Sequence, residues 1–234
     1  MNVQLRIPEI EDELYPTSDG KPMAETDLHR DQMFDIIETL KDRFAAVKYM
    51  YVSGNLLVFY EQGNPRKHVS PDCFAVRGVA KKRRDHYLIW REKKVPEVVI
   101  EITSKTTKNE DIKKKFVIYR DLMKVREYFL FDPTEDYLHP PLQGNKLVNG
   151  EYVRIEPIDG RLPSAVLGLH LFQNGNTLRL WDPVTKQVLL TPAEARGQAR
   201  ALAEAAHKEN EQLRKELAAL RRKGNGKSKK KPSK

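Results

Sequence analysis

The chain has 234 residues, 39% hydrophobic and 32% charged, which is enough for one cored domain plus appendages. No apolar run approaches the roughly 20 residues of a membrane-spanning helix, which argues against a membrane partner. The net charge of +9 is concentrated at the end, where positions 221–234 hold eight basic residues and no acid and leave residues 1–220 near neutral. Overall basicity therefore does not mark the body as a nucleic-acid-binding domain, although the tail can add salt-sensitive attraction to phosphate.

Residues 1–22 read as an acidic, then turn-rich segment, with acids where a signal peptide needs a basic start and an apolar middle. The single cysteine, Cys73, excludes an internal disulfide, so a cytoplasmic location is expected. An amphipathic helix from Thr26 or Asp27 to about Arg43 follows from the spacing of Leu28, Met33, Ile36, Ile37 and Leu40. Residues 47–53 and 56–60 read as two strands across a tight turn at Gly54-Asn55. Residues 68–77 form a third expected strand, followed by the basic stretch Lys81-Lys82-Arg83-Arg84. Residues 95–103 give the strongest strand signal, because Val98, Val99, Ile100 and Ile102 form a nearly continuous apolar run suited to a central strand. A helix over 109–123 and a strand over 127–132 follow, ended by Pro133.

Between 137 and 190 the pattern gives short strands at 152–155, 169–172, 178–181 and 188–190. From Pro192 the composition shifts to Ala, Glu, Leu, Lys and Arg and predicts a long helix to about Lys223. Its weak heptad seam, Ala199, Ala203, Ala206, Asn210, Leu213, Leu217 and Leu220, suits a short coiled coil with Asn210 setting register in a homodimer. The alternative is a solvated helix. The expected organisation is an N-terminal segment at 1–22, a folded domain at 23–190, a C-terminal helix at 191–223 and a disordered Lys-rich tail at 224–234. The element order gives an α/β fold with a mixed central sheet flanked by helices.

The chemistry points to residues 70–132. Asp72 enters an otherwise apolar strand, and Glu101 lies inside the most buried-looking one. A lone buried carboxylate is costly unless paired or metal-bound. Two neighbouring strands can bring both acids to one point, a hard-oxygen site for Mg²⁺ or Mn²⁺. The competing reading is that Asp72 caps a turn and Glu101 pairs with a core Lys or Arg. Asp111, Lys115 and Tyr119 are spaced i, i+4, i+8 and share a helix face. A lysine aimed at a two-carboxylate site can orient or activate water, whereas Asp111 reads more simply as a salt-bridge partner and Tyr119 as an inward-packing residue. Glu25 and His29 form an i, i+4 pair, readable either as a site contribution or as a surface pair. Cys73 reads as a core thiol, and Lys81 to Arg84 either as phosphate contacts or as a solvated loop.

These pieces resemble the Uma2-type (DUF820) family of endonuclease-like proteins, a branch of the PD-(D/E)XK nuclease-like superfamily. The resemblance rests on Glu25-Thr26-Asp27-Leu28-His29, Ser70-Pro71-Asp72, Arg84-Asp85-His86-Tyr87 with Trp90, and Pro96 through Ser104. It also rests on Asp111 with Lys115 and Tyr119, and on Glu127 through Pro133; together these span about residues 16–190. It implies a restriction-endonuclease-like fold and a metal-dependent DNA endonuclease. Asp72 and Glu101 would hold the ion, with a backbone carbonyl near Ile102 as a further ligand, Glu25 would contribute from the first helix, and Lys115 would be the catalytic cation. The wider superfamily carries Lys two residues after the second acid. Thr103 stands there in this chain, and Lys115 looks like its replacement. The other reading kept open is a non-catalytic nucleic-acid-binding or assembly protein built on the same fold.

Overall fold

The computed structural model describes residues 14–18, 20, 26–104 and 110–227, with side chains to position 220. Contacts divide the chain into two units, residues 1–189 and 190–234.

The first unit opens with helix α1 (Asp27–Arg43), capped where the Thr26 hydroxyl accepts a hydrogen bond from the His29 amide at 3.2 Å. Asp27 in its first turn and Lys41 and Arg43 in its last complement the helix dipole. Strands β1 (Met50–Ser53), β2 (Val58–Phe59), β3 (His68–Val69), β4 (Cys73–Arg77) and β5 (Tyr87–Leu88) lead to the short helix α2 (Ile89–Glu92) and to β6 (Val98–Ile102). Two π-helical turns follow, Glu110–Lys115 and Ile118–Leu122, and then β7 (Glu127–Phe131), β8 (Leu142–Val148) and β9 (Glu151–Arg154). Strands β10 (Leu162–Ser164), β11 (Leu169–Asn174), β12 (Thr177–Asp182) and β13 (Gln187–Val188) complete the unit.

Among the described residues a six-stranded sheet runs in the order β1-β4-β6-β7-β8-β9. It is mixed: β6 and β7 are parallel and its other neighbours antiparallel. A helix-bearing crossover is what parallel neighbours require, and the π-helical turns fill that role between β6 and β7. β6 is buried along its whole length, as expected for a central strand.

The pleat splits the core in two. Val98, Ile100 and Ile102 join Cys73 and Ala75 on one face, beneath Met33, Ile36, Ile37 and Leu40 of α1 and the apolar side of the β10–β13 sheet. Val99, Phe74 and Val76 point the other way, into a cluster with Tyr119, Met123 and Tyr128. Cys73 is thus a buried free thiol, and burial together with the neighbouring Asp72 pushes its pKa well up. A small third sheet, β3-β2-β5, packs Leu57, Phe59 and Leu88 against Tyr15, which is only 2% exposed although the sequence places it in a separate leading segment.

Three expectations are corrected. The strands flanking Gly54-Asn55 do not pair: β1 joins β4, while β2 joins β3 and β5. The cause is the close approach of Gly54 to the Asp72 carbonyl, where the Asn55 amide also donates to the Pro71 carbonyl at 2.8 Å and turns the chain from one sheet to the next. The expected strand over 68–77 breaks at residues 70–72, since Pro71 has no amide hydrogen to keep a ladder going. The expected helix over 109–123 is a pair of π-helical turns, closed by the i to i+5 bond from the Met123 amide to the Ile118 carbonyl.

The second unit holds helix α3 (Pro192–Lys227). Thr191 and Glu194 cap it reciprocally: the Thr191 amide donates to Glu194 Oε2 at 2.8 Å, and the Glu194 amide donates to Thr191 Oγ1 at 3.3 Å. Pro192 takes the first position, where its missing amide hydrogen costs nothing. The helix includes positions 224–227, which the sequence assigned to the tail; positions 228–234 lie outside the described residues. No helix among the described residues is long and apolar enough to cross a membrane.

Candidate active site

Asp72 sits just before β4 and Glu101 near the end of β6. Strand alternation sends the Glu101 side chain to the side of Val99, where Tyr119 meets it, while Asp72, in the bend just before β4, stays within reach of α1. The antiparallel pairing of Cys73 with Ile100 then brings the two acids together. The Asp72 amide donates to Glu101 Oε2 at 3.2 Å, and Asp72 Oδ2 accepts from the Ile102 amide at 2.7 Å. Asp72 Oδ1 is not engaged by any described residue.

The first π-helical turn faces this pair. Lys115 Nζ lies 3.0 Å from Glu101 Oε2 and 2.9 Å from Asp111 Oδ1. The Tyr119 hydroxyl donates to Glu101 Oε1 at 2.6 Å. Spacings of i, i+4 and i+8 thus stay on one side although the element is π-helical. From α1, His29 Nε2 lies 3.2 Å from Asp72 Oδ2. A carboxylate only accepts, so this nitrogen carries the proton and donates.

Burial raises the pKa of Asp72, but the His29 hydrogen bond, the Lys115 charge and the Ile102 amide outweigh it and hold the carboxyl below its ordinary value. Glu101 is fully buried. Burial and repulsion from Asp72 and Asp111 push it up to about 8, against the pull of Lys115 and Tyr119. Burial alone would lower Lys115, yet Glu101, Asp111 and Asp72 raise it and keep the ammonium protonated. Burial and Glu101 raise the Tyr119 phenol well above its ordinary value, so it stays a donor.

Asp72 and Asp111 thus carry more negative charge than Lys115 balances, and Glu101 beside them holds its proton up to about pH 8, so a further cation would both be attracted and favour the ionised form of Glu101. Among the described residues no three acidic, His or Cys side chains are grouped to hold a metal as they stand, since Lys115 lies between Glu101 and Asp111. Mg²⁺ and Mn²⁺ sites do not require such a group, because Mg²⁺ is commonly held by one or two carboxylates with water and substrate phosphate completing the shell. The hard-oxygen pair Asp72 and Glu101, with Asp72 Oδ1 uncommitted, fits such an ion.

Replacing Tyr119 by Phe removes one hydroxyl from this network and leaves a buried Glu101 oxygen without its donor. Urea unfolding is expected to show a loss of about 1–3 kcal/mol. An unchanged midpoint would mean that the hydroxyl does not hold Glu101.

The structure thus brings together Asp72, Glu101 and Lys115. It adds His29, Asp111 and Tyr119, which the spacing displayed without settling their role. For His29 a signal was present: it heads the row His29, Met33, Ile36, Leu40 at i, i+4, i+7, i+11, the apolar stripe of α1, and it is only 4% exposed. Glu25 lies outside the described residues. Thr103, at the position of the superfamily lysine, is buried and directs its hydroxyl to the Phe131 carbonyl at 3.2 Å.

The basic stretch is partly committed to the fold. Lys81 Nζ binds the Phe44 and Ala45 carbonyls at the C-terminus of α1. Arg84 makes a two-pronged pair with Glu92 at 2.8 and 3.0 Å, and its guanidinium lies 4.2 Å from the centre of the Tyr51 ring. Lys82 and Arg83 are exposed and, with Lys41, line a cleft of about 680 Å³.

A crystal structure of "a putative nuclease belonging to DUF820" from Anabaena variabilis ATCC 29413 matches with 16% identity and a TM-score of 0.48, over 65% of this chain and 80% of that one. No curated protein matches the chain. The profile of the Uma2 family, described as "putative restriction endonuclease", matches residues 4–187, and the chain belongs to that family.

Proposed function

We propose that the protein is a metal-dependent endonuclease that hydrolyses phosphodiester bonds in DNA, using Mg²⁺ or Mn²⁺ held by Asp72 and Glu101, as a cytoplasmic homodimer. The observation that carries this reading is the meeting of two carboxylates from neighbouring strands with the Lys115 ammonium, 3.0 Å from Glu101. Family membership supports the nuclease class.

When bound, a divalent ion supplies Lewis-acid polarisation of the phosphate and an acidified water. Around it, this chain's own groups do the positioning. His29 and the Ile102 amide hold Asp72 Oδ2, which leaves Oδ1 to face a ligand. Tyr119 orients Glu101. Lys115 offers a fixed positive charge to the phosphate as negative charge develops on it, in surroundings dry enough to strengthen that attraction. Glu25 belongs to this reading as a further acid, and Arg83 with Lys82, whose ammonium lies 3.5 Å from Glu92 at the surface, as the exposed members of the basic stretch that would meet the DNA backbone. Lys81 and Arg84 shape that loop.

Lys115→Ala is expected to lower kcat by about 10²-fold or more with KM nearly unchanged, because the lost interaction is one made mainly in the transition state. A loss confined to KM would reduce Lys115 to a phosphate grip. The reading as a whole is tested by incubating the protein with plasmid, linear duplex and single-stranded DNA, and with RNA, in Mg²⁺, Mn²⁺ or chelator. Internal cuts in DNA that chelator abolishes are expected. Cuts that persist in chelator, or none under any condition, would refute it.

A further inference from the structure

We propose that residues 199–220 of α3 pair with the same segment of a second copy of this chain as a parallel, in-register, two-stranded coiled coil. It rests on the homodimer of the proposed reading and gives that dimer its interface, while the nuclease chemistry is tested separately by cleavage.

Every described residue from Arg196 to Leu220 is exposed, including Leu213 at 50%, Leu217 at 55% and Leu220 at 64%. Most helices in proteins gain their stability by burying an apolar stripe rather than from propensity alone. The three leucines lie at spacings of four and three, so they form a narrow seam of d, a and d positions. That seam extends back through Asn210 and Ala206. Lys208, Glu211 and Lys215 fall on the outer side of the same register.

The charges flanking the seam identify the partner and its direction. Position g of the heptad is Glu209 and then Glu216, and the e position five residues after Glu209 is Arg214. In a parallel pair, g of one helix faces e of the following heptad in the other, so Glu209 meets Arg214 of the second copy, twice by symmetry. The sequence repeats this offset from Glu216 to Arg221. In an antiparallel pair g faces g and e faces e, setting Glu against Glu and Arg against Arg. Orientation and partner choice in coiled coils follow such flanking charges.

Asn210 agrees with the same arrangement. It occupies an a position, where it meets its own counterpart only when the two helices are parallel and in register, and its amide can then both donate and accept. In the single helix its Nδ2 donates back to the Ala206 carbonyl at 3.0 Å, which leaves the amide oxygen available. A surface that is self-complementary in apolar seam, buried amide and flanking charge fits a second copy of itself.

Sedimentation equilibrium of the full chain is expected to give a reversible dimer. Leu217→Glu should weaken it by about 10²-fold or more, since it places a charge in the seam. Glu209→Arg and Arg214→Glu should each weaken it by about fivefold, and the double variant should restore it, because the swap recreates both pairs. Leu213→Cys should form a disulfide between copies on oxidation, while Lys215→Cys, on the outer side, should not; native Cys73 is buried. A monomer throughout, or a dimer insensitive to Leu217→Glu, would overturn the proposal. So would single charge variants that dimerise as tightly as the parent or more tightly, which is the outcome for antiparallel helices, where each swap relieves or merely exchanges a like-charge contact.

Discussion

Asp72→Asn is expected to lower metal-dependent cleavage by at least about 10³-fold while leaving the chain folded, with an unfolding midpoint modestly below that of the parent, because the ionised carboxyl is held below its ordinary value and so stabilises the fold. The activity loss follows from removing one of two anionic ligands, since a bound ion contributes several kcal/mol of transition-state stabilisation and each 1.4 kcal/mol is tenfold in rate. The retained fold follows from the geometry. The Asn oxygen can still accept from the Ile102 amide, which now spans 2.7 Å to Asp72 Oδ2. Removing the Asp72 charge relieves the repulsion that helps push Glu101 upward but forfeits the attraction of Asp72 to Lys115 and His29, so the cost to stability is small rather than absent. Glu101→Gln should lose activity to the same extent, with Lys115 still paired to Asp111. Assays of cleavage beside thermal unfolding check both. Near-parental cleavage in either variant would remove these two acids from the site, and a lost fold would make them structural.

Gly54→Ala should be among the most damaging single substitutions outside the charged residues. A Cβ at this position would lie 1.9 Å from the Asp72 carbonyl oxygen and 2.5 Å from Ile37 Cδ1. The side chain of Ile37 can rotate away, but the Asp72 carbonyl is backbone, so residues 70–72 must shift. A destabilisation of at least about 3 kcal/mol is expected, at the upper end for overpacking. Cleavage should fall by about 10²-fold or more even at temperatures where the variant is folded, because a displacement of about 1 Å in a catalytic group is enough for that. Urea unfolding and an assay at low temperature separate the two effects. Parental stability would mean that Gly54 is not what seats Asp72.

The central pair of acids was legible because the β period is so strict. An apolar run at Val98, Val99, Ile100 and Ile102 marks a strand buried on both faces, and a carboxylate inside it needs a reason. Lys115 and Tyr119 were legible from i+4 spacing, which survives the change from α to π geometry. The π-helical form itself has no comparable mark in the residues. His29 was visible but ambiguous, since the pair Glu25 and His29 competes with the row His29, Met33, Ile36 and Leu40, and only packing decides between them.

The strands away from the acids were less legible. Strand β8, Leu142-Gln143-Gly144-Asn145-Lys146-Leu147-Val148, lacks a clean alternation because Gly144 lies against the Phe129 ring and Asn145 is buried. Strands β2, β3 and β5 are two residues each, and pairing rather than propensity makes them strands. The change of sheet at Gly54-Asn55 looks locally like a hairpin turn; its cause, the Asp72 carbonyl, is eighteen residues away.

The most direct test of the site is anomalous scattering at the manganese edge from crystals grown in Mn²⁺ with an uncleavable DNA oligonucleotide. The expected result is a peak within roughly 2.0–2.4 Å of carboxylate oxygens from both Asp72 and Glu101. A strong manganese peak elsewhere on the fold, with none between these two side chains, would contradict it.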